Sequence, residues 1–427
     1  MKQKNPERRS LLPGVTLNFV ENDRSKTNFI TFYFITPLNE KSASCNTLLS
    51  RLLTRECEKY PRQIALCRAL DDCYEANLSS DSMKIGEWHA LSVELSLLDN
   101  AYALEGEDVT ARGLSILEEV LFRPALKDGA FPEESVKGEK KQALQEIDSL
   151  VNRKALYARE RMVEVMCRKE PYGVCALGTK RGVARETAAS LGAYYRDLLR
   201  ASQIEIFFVG RFDREKIGRR MEKLFAGKER AFSPLPPLAE AAEKEMALEV
   251  TERLDVTQTH LVMGFRTHCT TSSPSWRAFT VFNAILGGLP TSKLFSILRE
   301  KMSLCYTVFS SPDGKKGVMT VYAGIDGKNR DKAIREVKRL LEAVKAGDFS
   351  EEELENARLA LISRVRGYED QPGILSDFYL FRFLAGEDGA PAQIIRELEQ
   401  VTREDVVRAA RGVTLDTIYT LTGKEGV

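Results

Sequence analysis

The sequence predicts an α+β protein made of two duplicated domains, each a largely antiparallel sheet covered by long helices. Three observations predict it. Six segments of the first half recur in the same order in the second half. Within each half, strand-like runs lead into long helical ones. Between the halves lies SPLPPLAEAAEKE, Ser233 to Glu245, whose three prolines and Ala/Glu tail suit an exposed connection. The expected division is therefore 1–232, a linker at 233–245, and 246–427.

The elements follow in order. VTLNFVEN after Gly14 reads as a short strand, and NFITFYFIT, Asn28 to Thr36, is dense in β-branched and aromatic residues, as a buried strand requires. From Ser44, SCNTLLSRLLTRECEKY carries apolar residues at three- and four-residue spacing and predicts a helix. A second helix covers Ile64 to Ala76, followed by two strands, NLSSDSMKIG and EWHALSVELSLLD. A helix ending in LEEVLFRP comes next, then one long helix from Pro132 to about Cys167, a helix over Leu191–Arg200 and the strand QIEIFFVG.

The second half repeats this plan. TNFITFYFIT at Thr27 matches QTHLVMGFRT at Gln258, and the Ser44 helix matches SWRAFTVFNAIL at Ser275. KIGEWHALSVELSLLDN matches KKGVMTVYAGIDGKN, and LSILEEVLFRP matches VKRLLEAVKAGDF. FPEESVKGEKKQALQEI at Phe131 matches FSEEELENARLALISRV at Phe349, and QIEIFFVG matches DTIYTLTG. Each half thus mixes about five strands with long helices.

Composition narrows the function. The 427 residues are 43% hydrophobic and 29% charged, ordinary for a globular protein. Lys+Arg number 63 against Asp+Glu 62, and the basic residues do not cluster with aromatics, so no nucleic-acid surface is expected. No run approaches 18 apolar residues and the N-terminus lacks an apolar core, so neither a membrane span nor a secretory signal is expected. None of the eight cysteines forms a C-x-x-C pair. A reduced, cytoplasmic protein is the expectation. There is no G-x-S-x-G, and no Cys/His pair is identifiable from spacing.

One stretch carries most of the chemistry: LGGLPTSKLFSILREKMSLCYTV, Leu286 to Val308. It reads as the end of an apolar helix, a Gly-Gly-x-Pro break, a second helix closed by Arg299, and a strand entered at Tyr306. A guanidinium fork and a phenol donor suit a developing negative charge. The same pair also reads as an Arg favoured by a helix C-terminal dipole and a Tyr at the edge of a core.

This two-fold arrangement resembles the insulinase/pitrilysin metallopeptidases, the inverzincins, over nearly the whole chain. The Leu286–Val308 stretch looks like that family's C-terminal-domain signature, and PYGVCALGT at Pro171 and IEIFFVGRFD at Ile204 match features of its N-terminal half. The resemblance implies half of a clamshell chamber. Active members carry H-x-x-E-H on the helix equivalent to Ser44–Tyr60: His at i and i+4 bind zinc, and the Glu is general base. The matching residues here are Asn46, Leu49 and Ser50, so both imidazoles and the base are missing. The family's third ligand, the second Glu of E-x6-E, corresponds to Glu146, with Glu139 before it; for both, a solvated or salt-bridged helix carboxylate is the expected role. Three histidines exist, His89, His260 and His268, none paired at ligand spacing on a helix. The resemblance is to a zinc-less member that binds no metal and is not active alone.

In active relatives the equivalents of Arg299 and Tyr306 hold the substrate backbone and stabilise the oxyanion. The resemblance therefore implies a non-catalytic subunit of a heterodimeric zinc peptidase, closing the chamber and supplying Arg299 and Tyr306 in trans, the zinc lying only in a paralogous partner. A homodimer is the expectation where that partner is absent. Gly287 and Gly288 lie in no extended glycine-rich loop, so the substrate-handling role of such a loop is not carried over. The nearest likeness within the family is to short bacterial zinc-less members associated with elongation factor P aminopentanol modification. The alternative is a peptide-binding or scaffold protein without proteolytic role. A peptide would add as a strand at a sheet edge, near Ser79–Gly86 or its repeat near Tyr306–Pro312.

Overall fold

A computed structural model describes residues 5–237 and 246–423. Its first elements are β1 (Glu7–Leu12), β2 (Val15–Glu21), β3 (Thr27–Pro37), α1 (Glu40–Leu53), α2 (Gln63–Asp71), β4 (Asn77–Ile85) and β5 (Trp88–Leu98). Next come α3 (Val109–Phe122), α4 (Glu133–Ser149), α5 (Lys154–Met166), α6 (Lys180–Arg185), α7 (Ala188–Ala201), β6 (Gln203–Gly210) and α8 (Arg214–Phe225). The second repeat has β7 (Leu248–Arg253), β8 (Thr259–Arg266), α9 (Trp276–Asn283), β9 (Cys305–Asp313) and β10 (Val318–Ile325). It ends with α10 (Arg330–Lys345), α11 (Glu351–Arg366), α12 (Pro372–Leu384), α13 (Pro391–Glu399), α14 (Arg403–Ala410) and β11 (Thr414–Thr422).

The first sheet has strand order β1-β2-β6-β3-β5-β4, the second β7-β11-β8-β10-β9. Without β1 the two orders coincide element for element. The senses coincide too: β2–β6 and β7–β11 are parallel, and the other pairs are antiparallel. The duplication read from six sequence segments is thus a duplication of sheet topology.

Two compact units contain these sheets. One holds Met1–Asp148, Val174–Pro237 and Gly367–Leu384; the other holds Ser149–Gly173, Leu238–Arg366 and Ala385–Val427. This differs from the expected contiguous cut at 232 and 246, because α5 belongs with the second sheet and α12 with the first. Of the expected linker, residues 233–237 run without regular structure, Trp88 Nε1 donating to the Pro236 carbonyl at 2.9 Å. Residues 238–245 lie outside the described residues.

The reason for the exchange is written in β3. Its Ile30, Phe32 and Phe34 join Leu48, Leu49 and Leu52 of α1 and Leu117, Val120 and Leu121 of α3 in one core. With period-2 alternation, Tyr33 points to the opposite face. There it meets Phe207 edge-on at 5.9 Å, Phe207 stacks on Phe383 at 6.0 Å, and Phe383 stacks on Tyr379 at 5.8 Å. Tyr33 donates its hydroxyl to Asp377 Oδ1 at 2.7 Å. A sheet apolar on both faces needs two covers, and α12 supplies the second. In the other unit α5 does the same: Ala158, Met162 and Met166 pack with Val262, Tyr322, Tyr419 and Leu421. Gly264 permits that approach, since a Cβ there would stand 2.5 Å from Met162 Sδ.

The exchange also corrects the long helix expected from Pro132 to Cys167. It is two helices, broken by a 3₁₀ turn at Leu150–Asn152 and by Arg153, which is non-helical at φ −90°, ψ 68°. The break falls where the chain passes from one unit to the next. Helix α1 starts earlier than Ser44, because Asn39 and Ser42 form a reciprocal capping box. Among the described residues no helix is long and apolar enough to cross a membrane. All eight cysteines are free thiols, and burial pushes Cys45 up to about 12.

Tyr379, fully buried, is the centre of the α12 cover. Tyr379→Ala is expected to cost the first unit about 3–5 kcal/mol. The check is urea unfolding followed through Trp88 in a Trp276→Phe background, the only two tryptophans being split one to each unit.

Candidate functional site

The first repeat places Asn46, Leu49 and Ser50 on one buried stretch of α1, with exposures of 0%, 0% and 8%. Asn46 is hydrogen-bonded at both ends of its amide. Its Nδ2 donates to His89 Nδ1 at 2.9 Å, and its Oδ1 accepts from the Tyr194 hydroxyl at 3.0 Å. His89 on β5 completes the chain by donating Nε2–H to the Ala176 carbonyl at 3.0 Å, which fixes the tautomer. Leu49 belongs to the apolar core, and Ser50 Oγ donates to the Thr47 carbonyl at 3.0 Å.

Helix α4 brings both carboxylates of E-x6-E against α1. Arg55 Nη1 meets Glu139 Oε1 at 2.8 Å, and Arg51 Nη2 pairs with Glu146 Oε2. The salt-bridged role expected of these two glutamates is what the geometry gives them. The donor set does not fit zinc. An amide with both ends engaged, a leucine and a serine bound to its own backbone leave too few ligands, and the carboxylates are already paired. No cluster of three or more His, Cys, Asp or Glu able to hold a metal occurs among the described residues.

The second repeat places Arg299 and Tyr306 differently. The Gly-Gly-x-Pro break is flanked by two π-helical turns, Ala284–Gly288 and Phe295–Lys301, a geometry that gathers at functional sites. A Cβ on Gly287 would stand 2.9 Å from the Ser310 backbone nitrogen, so this turn lies against β9 only because the residue is glycine. Leu294 and Leu298 are fully buried and anchor the second turn, while Lys293 Nζ pairs with Glu353 Oε1 of α11 at 3.0 Å. The turn closes with the Leu304 N–H donating to the Leu298 carbonyl at 2.8 Å, past Ser303 at φ 51°.

That framework leaves Arg299 exposed, its Cζ 4.6 Å from the centre of the Phe295 ring. Tyr306 is 79% exposed. It has no partner in the β9–β10 register, which runs from Thr307↔Gly324 to Cys305↔Ile325 across a bulge. A bulge re-aims the extra residue's side chain, here into solvent. The core-edge reading of Tyr306 is therefore excluded.

Both edge strands expected from the sequence are edges: β4 ends the first sheet and β9 the second. β4 pairs with β5 over nine residues, Asn77↔Ser96 to Ile85↔Trp88, without a register shift. β9 carries the bulge and Pro312, which shorten the stretch open to a further strand. The sequence reading missed His89, Arg51 and Arg55. Arg51 lies in the last turn of α1 and Arg55 just past its end, four residues on, and that spacing opposite Glu139 and Glu146 was the available signal.

With this geometry, relatedness is informative. Residues 185–361 match the Peptidase M16 inactive domain family. The chain is 31% identical over 414 residues to the probable inactive metalloprotease YmfF of Bacillus subtilis, covering 97% of both chains. The chain belongs to the peptidase M16 family. The insulinase/pitrilysin resemblance read from the sequence is thereby shown. A crystal structure of a conserved protein from Enterococcus faecalis superposes with TM-score 0.92 at 29% identity, over 99% of this chain and 100% of that one. The M16 match extends to a relative named for zinc: the uncharacterized zinc protease YmxG of Bacillus subtilis is 25% identical over 309 residues, 70% of this chain and 71% of that one.

The His89 bridge has a pH signature. Burial pushes its pKa from 6.5 down to about 4, the Ala176 carbonyl opposing this only in part. The folded value lies below the unfolded one, so the unfolded chain takes up the proton first. Stability is expected to fall by up to roughly 3 kcal/mol as pH drops from 6.5 to about 4. Denaturant unfolding across that range, wild type minus His89→Gln, isolates the contribution; parallel curves would contradict it.

Proposed function

We propose that this chain is the zinc-less, non-catalytic subunit of a heterodimeric M16 peptidase. It closes the chamber and lends Arg299 and Tyr306 to a peptide held at the zinc of a paralogous partner. The observation that carries this reading is the contrast between the two repeats. Asn46 and Glu146 are tied up by their own chain, whereas Arg299 and Tyr306 project into solvent from a rigid turn and a bulge.

An exposed guanidinium over the Phe295 ring keeps its N–H fork available, and the exposed phenol of Tyr306 is a second donor. Two such donors suit a substrate carbonyl that gains charge during attack by zinc-bound water. The water, its metal and the general base belong to the partner. The occurrence in one organism of both a relative named inactive and a relative named a zinc protease supports a division of labour between paralogues.

A second reading, a peptide-binding or scaffold protein without proteolysis, draws on the regular nine-residue edge of β4. An extended peptide gains main-chain hydrogen bonds there without any metal.

The test is peptide cleavage by the co-purified pair. Arg299→Ala and Tyr306→Phe are each expected to lower kcat/KM about 100-fold, the scale of losing one oxyanion donor. Because both side chains are exposed, stability is expected to change by less than about 0.5 kcal/mol. Equal cleavage by wild type and both variants would overturn the donation of Arg299 and Tyr306, whereas peptide binding with no cleavage would leave the scaffold reading standing.

A further inference from the structure

We propose that Arg51 takes the electrostatic place of the missing metal, and that it, beyond the lost imidazoles, now excludes zinc from the first repeat. This goes one step past the bare absence of ligands. Glu146 sits where the family resemblance puts the third zinc ligand, and its half-buried carboxylate meets a cation of its own chain. Arg51, the residue directly after Ser50, supplies it through Nη2 to Oε2. One turn on, Arg55 does the same for Glu139, whose side chain is only 7% exposed.

The consequence is a two-rung ladder of ion pairs fastening α4 to the end of α1 and the turn that follows it. A guanidinium is a better fit than ammonium, since its planar fork matches carboxylate oxygens. A dication brought to Glu146 would have to displace the Arg51 guanidinium from Oε2 and then sit beside the positive charge it displaced. The neighbouring side chains give no compensation: Asn46 is saturated by His89 and Tyr194, and Leu49 is apolar core. The zinc half-site has become a structural strut, held by charges of the same sign as the metal's.

The experiment restores ligands without touching the buried Leu49. Asn46→His/Ser50→His gives two imidazoles at i and i+4 which, with Glu146, complete a three-ligand set. The same pair is made with Arg51→Met, and zinc affinity of both full-length proteins is measured by chelator competition, with bound zinc counted after dialysis. The expected result is that zinc binds 10- to 100-fold more tightly when Arg51 is replaced. Equal affinity in the two proteins overturns the proposal, and so does failure of both to bind. Should the imidazole variants not fold, a cycle of Arg51→Met and Glu146→Gln decides. The two changes together are expected to alter the unfolding constant at least about threefold less than the product of the singles; independent effects would overturn the proposal.

Discussion

Each sheet of this protein is apolar on both faces, and each has its second face covered by a helix drawn from the other sequence repeat. The rest of the structure depends on that constraint. Tyr33, Phe207, Phe383 and Tyr379 make the cover of the first sheet, and Met162 and Met166 over Gly264 make that of the second. Residues 1–232 alone lack α12, and residues 246–427 alone lack α5. Neither repeat carries a complete core.

The same logic explains how the two candidate half-sites differ. Where ligands have gone, the vacated polar positions are bonded inward: Tyr194 to Asn46, Asn46 to His89, His89 to the Ala176 backbone. Buried polar groups must be satisfied, and here a hydrogen-bonded network and paired charges do so. Around Arg299 and Tyr306 the sequence spends glycine, two π-helical turns, a positive-φ serine and a bulge to keep two side chains in water. Irregular backbone of that kind is costly, and it persists here beside exposed donors.

Much of this was legible in the sequence. The repeat was visible because the strands TNFITFYFIT and QTHLVMGFRT keep an apolar character that both-face burial demands. The β4 and β9 edges came from the family resemblance, since periodicity does not show which strand ends a sheet. The exchange of α5 and α12 was not legible, since period-3.6 patterning says that a helix has an apolar face and not which sheet it covers. For the same reason the break at Arg153 read as continuous helix. Tyr306 in its bulge could not be told from a core-edge tyrosine, because a bulge is a register property of two strands. His89 was noticed only as an absent ligand; its role needed the Asn46 contact, which joins residues 43 positions apart.

As proposed, this chain keeps the donor half of a peptidase site and takes its metal from another chain. Zinc content of the purified proteins tests it most directly. About one zinc per heterodimer is expected when the chain is co-purified with an H-x-x-E-H paralogue, and none held through dialysis by the chain alone. Stoichiometric zinc on the isolated chain would contradict it.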